Sequence, residues 1–314
     1  MSILMQSAVQ EYLAERRRLG FQLSGAGGQL MRFARFADAR EHRGPLTLDL
    51  QLDWAREHVL RTSQITWARR LEVVRPFAAY YKQFEPLSVV PDATTFGRGH
   101  RRKAPHIYTD QELADLIDAA GRLQPRARAI TYATLFGLIA SAGLRVSEAL
   151  HLRDGDVDPN LGSITIRQTK FNKSRRLPLH SSVLRQLVEY RKICKLGSGN
   201  HNRPFFESVR GEEISKSTVH FVFDGLRKSL QWVSRGGHAN PRIHDLRHTF
   251  AVRRVKLWHE SGTTIDHGML LLCTYLGHAK ISDTYWYLSG VPELMGIAGR
   301  MYEEYATETV VTRG

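Results

Sequence analysis

Apolar residues recur at helical spacing through most of this chain, and the period drops to two only once, around residues 164–179. That pattern predicts a mainly α protein with a small β-sheet. Val9, Leu13 and Leu19 are spaced for one helix, and Leu30, Phe33, Phe36 and Ala37 for a second. Thr47 is placed to cap a third, running through Trp54 and Val59. Trp67, Leu71, Val74 and Ala78 mark a fourth, where Pro76 predicts a kink. From Pro86 to Pro105 the apolar period is lost, and the run Arg98-Gly99-His100-Arg101-Arg102-Lys103 reads as a basic linker. Four segments follow: a helical domain over 1–90, a linker over 91–106, a mixed α+β domain over 107–290 and a tail over 291–314.

The second domain opens on Thr109-Asp110-Gln111-Glu112, a capping-box pattern. A helix covers about 127–141, Gly143 ends it, and Ser147 is placed to cap the next. Ile164-Thr165-Ile166 and Arg176-Leu177-Pro178-Leu179 read as two strands of a hairpin whose polar tip carries Lys170 and Lys173. Helices are expected again after His180, after Ser215, after His244 and through Leu270. In the tail, Leu294, Ile297, Ala298 and Met301 share one helical face.

Charge narrows the partner. Lys and Arg total 45 against 31 acids, a formal net charge of +14 over 314 residues, which favours a polyanion such as nucleic acid. Cys194 and Cys273 show no pairing pattern, and Cys273, beside Leu270-Leu271-Leu272, reads as a buried thiol in a reducing compartment. Residues 1–10 lack a secretory pattern and no apolar run reaches membrane-spanning length, so the expectation is a cytoplasmic, nucleoid-associated protein without a membrane partner.

The chemistry-bearing residues come in order. Arg145 stands in Ala142-Gly143-Leu144-Arg145-Val146-Ser147-Glu148, followed by Lys170, His244-Asp245-Leu246-Arg247-His248, Leu276-Gly277-His278 and Tyr287. Cleaving a phosphodiester without a metal needs a nucleophile, neutralisation of the equatorial oxygens, a proton for the leaving oxygen and an acceptor for the nucleophile's proton. Arg145 and Arg247 suit the second task through their planar, permanently charged forks, and Glu148, one turn after Arg145, is placed to orient it. Lys170 is placed for the leaving oxygen. His244 and His278 can donate to phosphate oxygens, and either can take the tyrosine proton. Singly, each residue has an ordinary structural reading: a surface ion pair, a turn lysine, a core tyrosine.

These blocks resemble the tyrosine recombinases, or phage-integrase family, over about 109–287. The resemblance places the family's catalytic positions on Arg145, Lys170, His244, Arg247, His278 and Tyr287, with Lys173 as the alternative lysine and Tyr285 as the alternative tyrosine. It implies an N-terminal helical core-binding (SAM-like) domain and a catalytic domain that together clamp duplex DNA at specific core sites. Arg69, Arg70, Arg101, Arg102, Lys103 and Lys173 are candidate DNA contacts. It further implies strand cleavage through a 3′-phosphotyrosyl link and a Holliday junction, with no metal or other cofactor. The assembly expected is a homotetramer on two duplexes, formed from monomers or dimers, with the tail helix exchanged between protomers and sister recombinases as further candidate partners. A mobile-element recombinase is the expected role, with a chromosome-dimer resolvase beside it. Three other readings fit parts of the pattern: a metal-dependent phosphohydrolase built on His244, Asp245 and His248, a non-catalytic DNA-binding regulator on the same fold, and a type IB topoisomerase.

Overall fold

The computed structural model describes residues 4–57, 63–97, 102–167, 174–194, 201–262, 265–291, 294–296 and 299. The chain divides into two compact units, Met1–Arg102 and Lys103–Gly314. As the apolar period predicts, the described residues are mostly helical with one small sheet. Among them, no helix is long and apolar enough to cross a membrane.

Among its described residues the first unit has four helices, α1 (Met5–Arg18), α2 (Ser24–Ala39), α3 (Leu48–Arg56) and α4 (Gln64–Tyr81). Val9, Leu13, Phe33, Trp54, Val74 and Phe77 form its core, with Phe33 edge-on to Trp54 at 5.4 Å. Leu4 gives α1 no side-chain cap. Asp38 of α2 supplies one, accepting from the backbone N–H of Met5 at 2.8 Å and of Gln6 at 3.1 Å. A carboxylate there meets both the orphan donors and the positive end of the helix dipole. α4 continues through Pro76.

The stretch read as a linker is anchored at isolated points, which a periodicity argument cannot see. Ser88 Oγ accepts from Leu46 N, Gln51 donates to the Val89 carbonyl, and Arg75 Nε donates to the Pro91 carbonyl. Phe96 is buried in a small cluster with Ala55, Ala68 and Leu71. Beyond residue 102, His106 and Tyr108 are buried in the second unit.

The second unit opens with α5 (Asp110–Gly121), whose capping box is formed: Thr109 Oγ1 accepts from Glu112 N and Glu112 Oε2 from Thr109 N. α6 (Arg126–Ala142) ends at Gly143, where φ is +62°. A Cβ at Gly143 would lie 2.4 Å from the Phe250 ring, so glycine meets both a turn and a close contact. α7 (Val146–Leu150) follows, then the strands β1 (Val157–Asp158), β2 (Ser163–Ile166) and β3 (Arg175–Pro178), antiparallel in that order. Ile164 pairs with Leu177 and Ile166 with Arg175. Ile164, Ile166 and Leu177 are buried, while Thr165 and Arg176 alternate outward. β1 was not visible in the sequence, being only two residues long.

Among the described residues the unit continues with α8 (Ser181–Ile193), α9 (Lys216–Ser229), α10 (Ile243–Glu260), α11 (Ile265–Leu276) and α12 (Ser282–Gly290). Phe136, Leu144, Ile164, Phe205, Phe223 and Leu246 belong to the main core. A second cluster joins α10, α11 and α12 through Val255, Met269, Leu272, Leu276 and Tyr287.

Candidate active site

The end of α11 organises the site. Gly277, at φ +65°, follows its last residue; Gly277 N donates to the Thr274 carbonyl at 3.1 Å and His278 N to the Cys273 carbonyl at 3.0 Å. These are the two bonds of a Schellman cap, with glycine at the left-handed position. The cap leaves the carbonyls of Tyr275, Leu276 and Gly277 to other donors, and three arginines provide them. Arg175 Nε donates to Tyr275 O at 2.8 Å, Arg247 Nη2 to Leu276 O at 2.7 Å, and Arg145 Nη2 to Gly277 O at 3.2 Å. Cations at a helix C-terminus also meet the negative end of its dipole. A Cβ at Gly277 would fall 2.7 Å from the Arg175 guanidinium, so the glycine of Leu276-Gly277-His278 is required for packing as well as for the turn.

One carboxylate ties these arginines together. Glu148 Oε1 accepts from Arg145 Nη1 at 2.7 Å and Arg175 Nη1 at 3.1 Å; Oε2 accepts from Arg175 Nη2 at 3.0 Å and Arg145 N at 3.0 Å. Arg247 Nη1 is 3.7 Å from Oε2 and donates to the Gly143 carbonyl. Burial alone would raise the Glu148 carboxyl. The Arg175 hydrogen bonds and charge, the Arg145 N–H and the Arg247 charge outweigh it and hold the group below the ordinary carboxylate value. Three guanidiniums thus share one carboxylate, and the surplus is positive. The N-cap of α7 is Arg145, not Ser147, which lies inside the helix, because Glu148 at the third helical position reaches back to the Arg145 N–H.

A stability prediction arises here. The folded Glu148 carboxyl titrates below its unfolded value of 4.5, so its contribution is present above that pH and lost as pH falls through the folded value. Removing one member of a buried ion cluster costs roughly 3–5 kcal/mol. Glu148→Gln is expected to destabilise the second unit by that order at pH 7 in urea unfolding. The gap from wild type should shrink below about pH 4, near the carboxylate reference value; an undiminished gap at pH 3 would contradict the assignment.

α10 presents two more of these residues. Its N-cap is Arg242, fixed by Asp245 Oδ2 accepting from Arg242 N at 2.9 Å, so His244 lies in the first turn and not before it. Asp245 is fully buried, with its other oxygen on Arg242 Nη2 at 2.7 Å. The His244-Asp245 doublet is therefore split, the carboxylate inside as a cap and the imidazole exposed. Among the described residues no group of three or more His, Cys, Asp or Glu is placed to hold a metal ion. His244 reaches the surface, but the protein packed around it, and then the charges of Arg247 and Arg242, lower its pKa to about 4. Arg247 is 1% exposed, and burial lowers it only to about 10, so it stays charged at neutral pH. Arg145, with 35% of its side chain exposed, is the open guanidinium of the cluster.

α12 brings the tyrosine. Tyr287 is 2% exposed, and its ring stacks on His278 with centroids 6.4 Å apart. His278 Nδ1 is 2.7 Å from Thr284 Oγ1. The Tyr287 hydroxyl lies 2.9 Å from Nδ1 of His248, one turn beyond His244. Tyr285 is half-buried against the same cluster. Arg145, Glu148, Arg247, His278 and Tyr287 thus occupy one end of α11 and its neighbours, with His244 on the open side.

Two residues enter that the recombinase reading of the sequence did not use: Arg175, and His248, which had figured only in the rival metal-dependent reading. Arg175 stands at the start of β3 next to the hairpin lysines, and His248 repeats His244 at helical spacing; these are the signals that pointed to them. Lys170 and Lys173 lie outside the described residues, as do Arg101, Val59 and most of the expected tail helix, including Ile297, Ala298 and Met301. Arg102 and Lys103 are exposed. Arg69 and Arg70 line one hollow of the first unit with Arg32 and Arg35. Arg70 also caps α3, its Nη1 donating to the carbonyls of Trp54, Ala55 and Glu57.

Residues 107–290 match the phage integrase family. The chain is 35% identical over 308 residues to y4rB of Sinorhizobium fredii, named as an integrase/recombinase, covering 95% of this chain and 96% of that one. It is 30% identical over 242 residues to the tyrosine recombinase XerC of Xylella fastidiosa, covering 76% and 74%. Among solved structures, the Tn1549 transposon integrase in complex with transposon right-end DNA has the same fold, with a TM-score of 0.65 at 16% identity over 91% of this chain and 94% of that one. XerH bound to a palindromic difH substrate gives 0.66 at 17% identity over 95% and 85%.

Proposed function

Because the chain belongs to the phage integrase family and is therefore a tyrosine recombinase, an enzyme of site-specific DNA recombination, we propose that Tyr287 is its nucleophile. The observation that supports this most is the convergence of Arg145, Arg175 and Arg247 on the end of α11, one short turn from the His278–Tyr287 stack. A surplus of fixed positive charge beside a hydroxyl is what attack on a phosphodiester requires.

In this reading the scissile phosphate sits against Arg145 and His244, with Arg247 beneath and His278 at its side. Tyr287 attacks phosphorus, the bond to the 5′-oxygen breaks, and Lys170 protonates that oxygen. The 3′-phosphotyrosyl link keeps the ester's energy, so the 5′-hydroxyl of a partner strand reverses the step without nucleotide or metal. Glu148 orients Arg145, and Arg175 orients Glu148. The first unit, the basic stretch Arg101-Arg102-Lys103, and Arg69, Arg70 and Lys173 follow the phosphate backbone. Four protomers on two duplexes exchange strands through a Holliday junction, with residues 291–314 passed between neighbours. Movement of a mobile element is the role that suits this chain, and its place in the cell is on the nucleoid.

The test is a pair of DNA substrates carrying a core site selected from random duplexes, incubated with the protein in excess chelator. The expected result is a covalent protein–DNA adduct on a nicked duplex and joining of two sites on one plasmid. Relaxation of supercoils by a monomer without joining would favour a topoisomerase, and cleavage abolished by chelator would overturn the mechanism.

A further inference from the structure

The nucleophile must lose a proton, and the fold surrounds that proton with protein. Tyr287 is 2% exposed. Its hydroxyl is 2.9 Å from His248 Nδ1, and the rings meet edge to face with centroids 5.5 Å apart. His248 is held on three sides: His244 of its own helix lies 4.8 Å away ring to ring, Trp286 of α12 lies 6.0 Å away, and Tyr287 completes the enclosure. His278, the other histidine on the tyrosine, has its Nδ1 on the Thr284 hydroxyl.

Resting on the assignment of Tyr287 as nucleophile, we propose that His248, rather than His244 or His278, is the catalytic residue that accepts the tyrosine proton. As the phenolic oxygen forms its bond to phosphorus and the bond to the 5′-oxygen breaks, the hydroxyl proton passes to His248 Nδ1. The leaving oxygen takes its proton from Lys170. Religation runs the same transfers backwards: His248 returns the proton to the phenol as the incoming 5′-hydroxyl gives its own to Lys170.

The charge around His248 suits an acceptor that waits for its substrate. Burial first, then the charges of His244, Arg242, Arg247 and His278, hold its pKa down to about 2. His248 is thus neutral at any working pH, and without DNA it leaves the proton on the tyrosine. A bound phosphate brings negative charge against Arg247, one of the charged groups that depress it. Its arrival strengthens the base at the moment of attack.

Single-turnover adduct formation on a nicked duplex tests this in four proteins: wild type, His248→Asn, His248→Ala and Tyr287→Phe. DNA binding by each is measured on native gels and serves as the check of folding. Asparagine keeps an acceptor oxygen near the Nδ1 position but cannot take the proton. His248→Asn is therefore expected to be slowed about as much as His248→Ala, by roughly 10²–10⁴-fold, with binding retained. Its rate should climb about tenfold per pH unit between pH 6 and 8, because attack then waits for tyrosinate formed against a phenol pKa of about 10. The wild-type rate should climb less steeply. Rescue by asparagine, an unimpaired alanine variant, or a slowed variant with the wild-type pH slope would each overturn the role of His248. No adduct from wild type, or an adduct from Tyr287→Phe, would instead overturn the assignment of the nucleophile on which this inference rests.

Discussion

Tyr287→Phe is expected to bind DNA as wild type does and to form no covalent adduct with a nicked duplex, while Tyr285→Phe forms one. The asymmetry follows from α12. Tyr287 is enclosed, with its hydroxyl on His248 and its ring on His278. Tyr285, two residues earlier, is turned about 200° away on the helix. Loss of one hydroxyl removes the reaction rather than slowing it, because the hydroxyl oxygen is itself the atom that would bond to phosphorus. The phenylalanine ring still fills the cluster formed with Met269, Leu272 and Leu276, so folding should survive. An adduct of normal yield from Tyr287→Phe would move the nucleophile elsewhere.

The second large effect concerns the leaving oxygen. Lys170→Ala is expected to slow cleavage by roughly 10²–10⁴-fold, the usual worth of a positioned proton donor. A substrate with sulfur in place of the bridging 5′-oxygen leaves without a proton. It should restore much of the lost rate to Lys170→Ala and none to Arg145→Ala, whose defect is unneutralised charge. Arg145 bonds to the Leu276 and Gly277 carbonyls and to Glu148, and a permanently charged guanidinium supplies charge to the phosphate rather than a proton to the leaving oxygen. Rescue of Lys173→Ala instead would shift the hairpin register by three residues, and rescue of neither would place the acid elsewhere.

Local signals were the legible ones. The Thr47 and Thr109 caps, the end of α6 at Gly143 and the alternation of Ile164, Ile166 and Leu177 depend on neighbours within a few residues, and a sequence displays those directly. Ser147 was a plausible cap by composition, but the Glu148 side chain, held by Arg175 from 27 residues away, moved the cap to Arg145. Arg175 and His248 illustrate the same limit inside the site. Arg175 acquires meaning only when β3 is brought beside α7 and the end of α11, 100 residues on. His248 acquires meaning only when α12 lays Tyr287 across α10, 39 residues on. Side chains such as Phe96 and Gln51, which anchor the stretch read as a linker, have no period to reveal them.

The central claim is that this protein cuts DNA by joining it to Tyr287. The most direct measurement is to trap the adduct on a nicked duplex, digest the DNA with nuclease and the protein with trypsin, and locate the nucleotide remnant by fragmentation mass spectrometry. Cleavage after Lys280 and Arg300 gives one peptide carrying both Tyr285 and Tyr287. The account predicts a 3′-linked nucleotide on Tyr287 alone. A remnant on Tyr285, on any other residue, or a cut strand with no covalent remnant would contradict it.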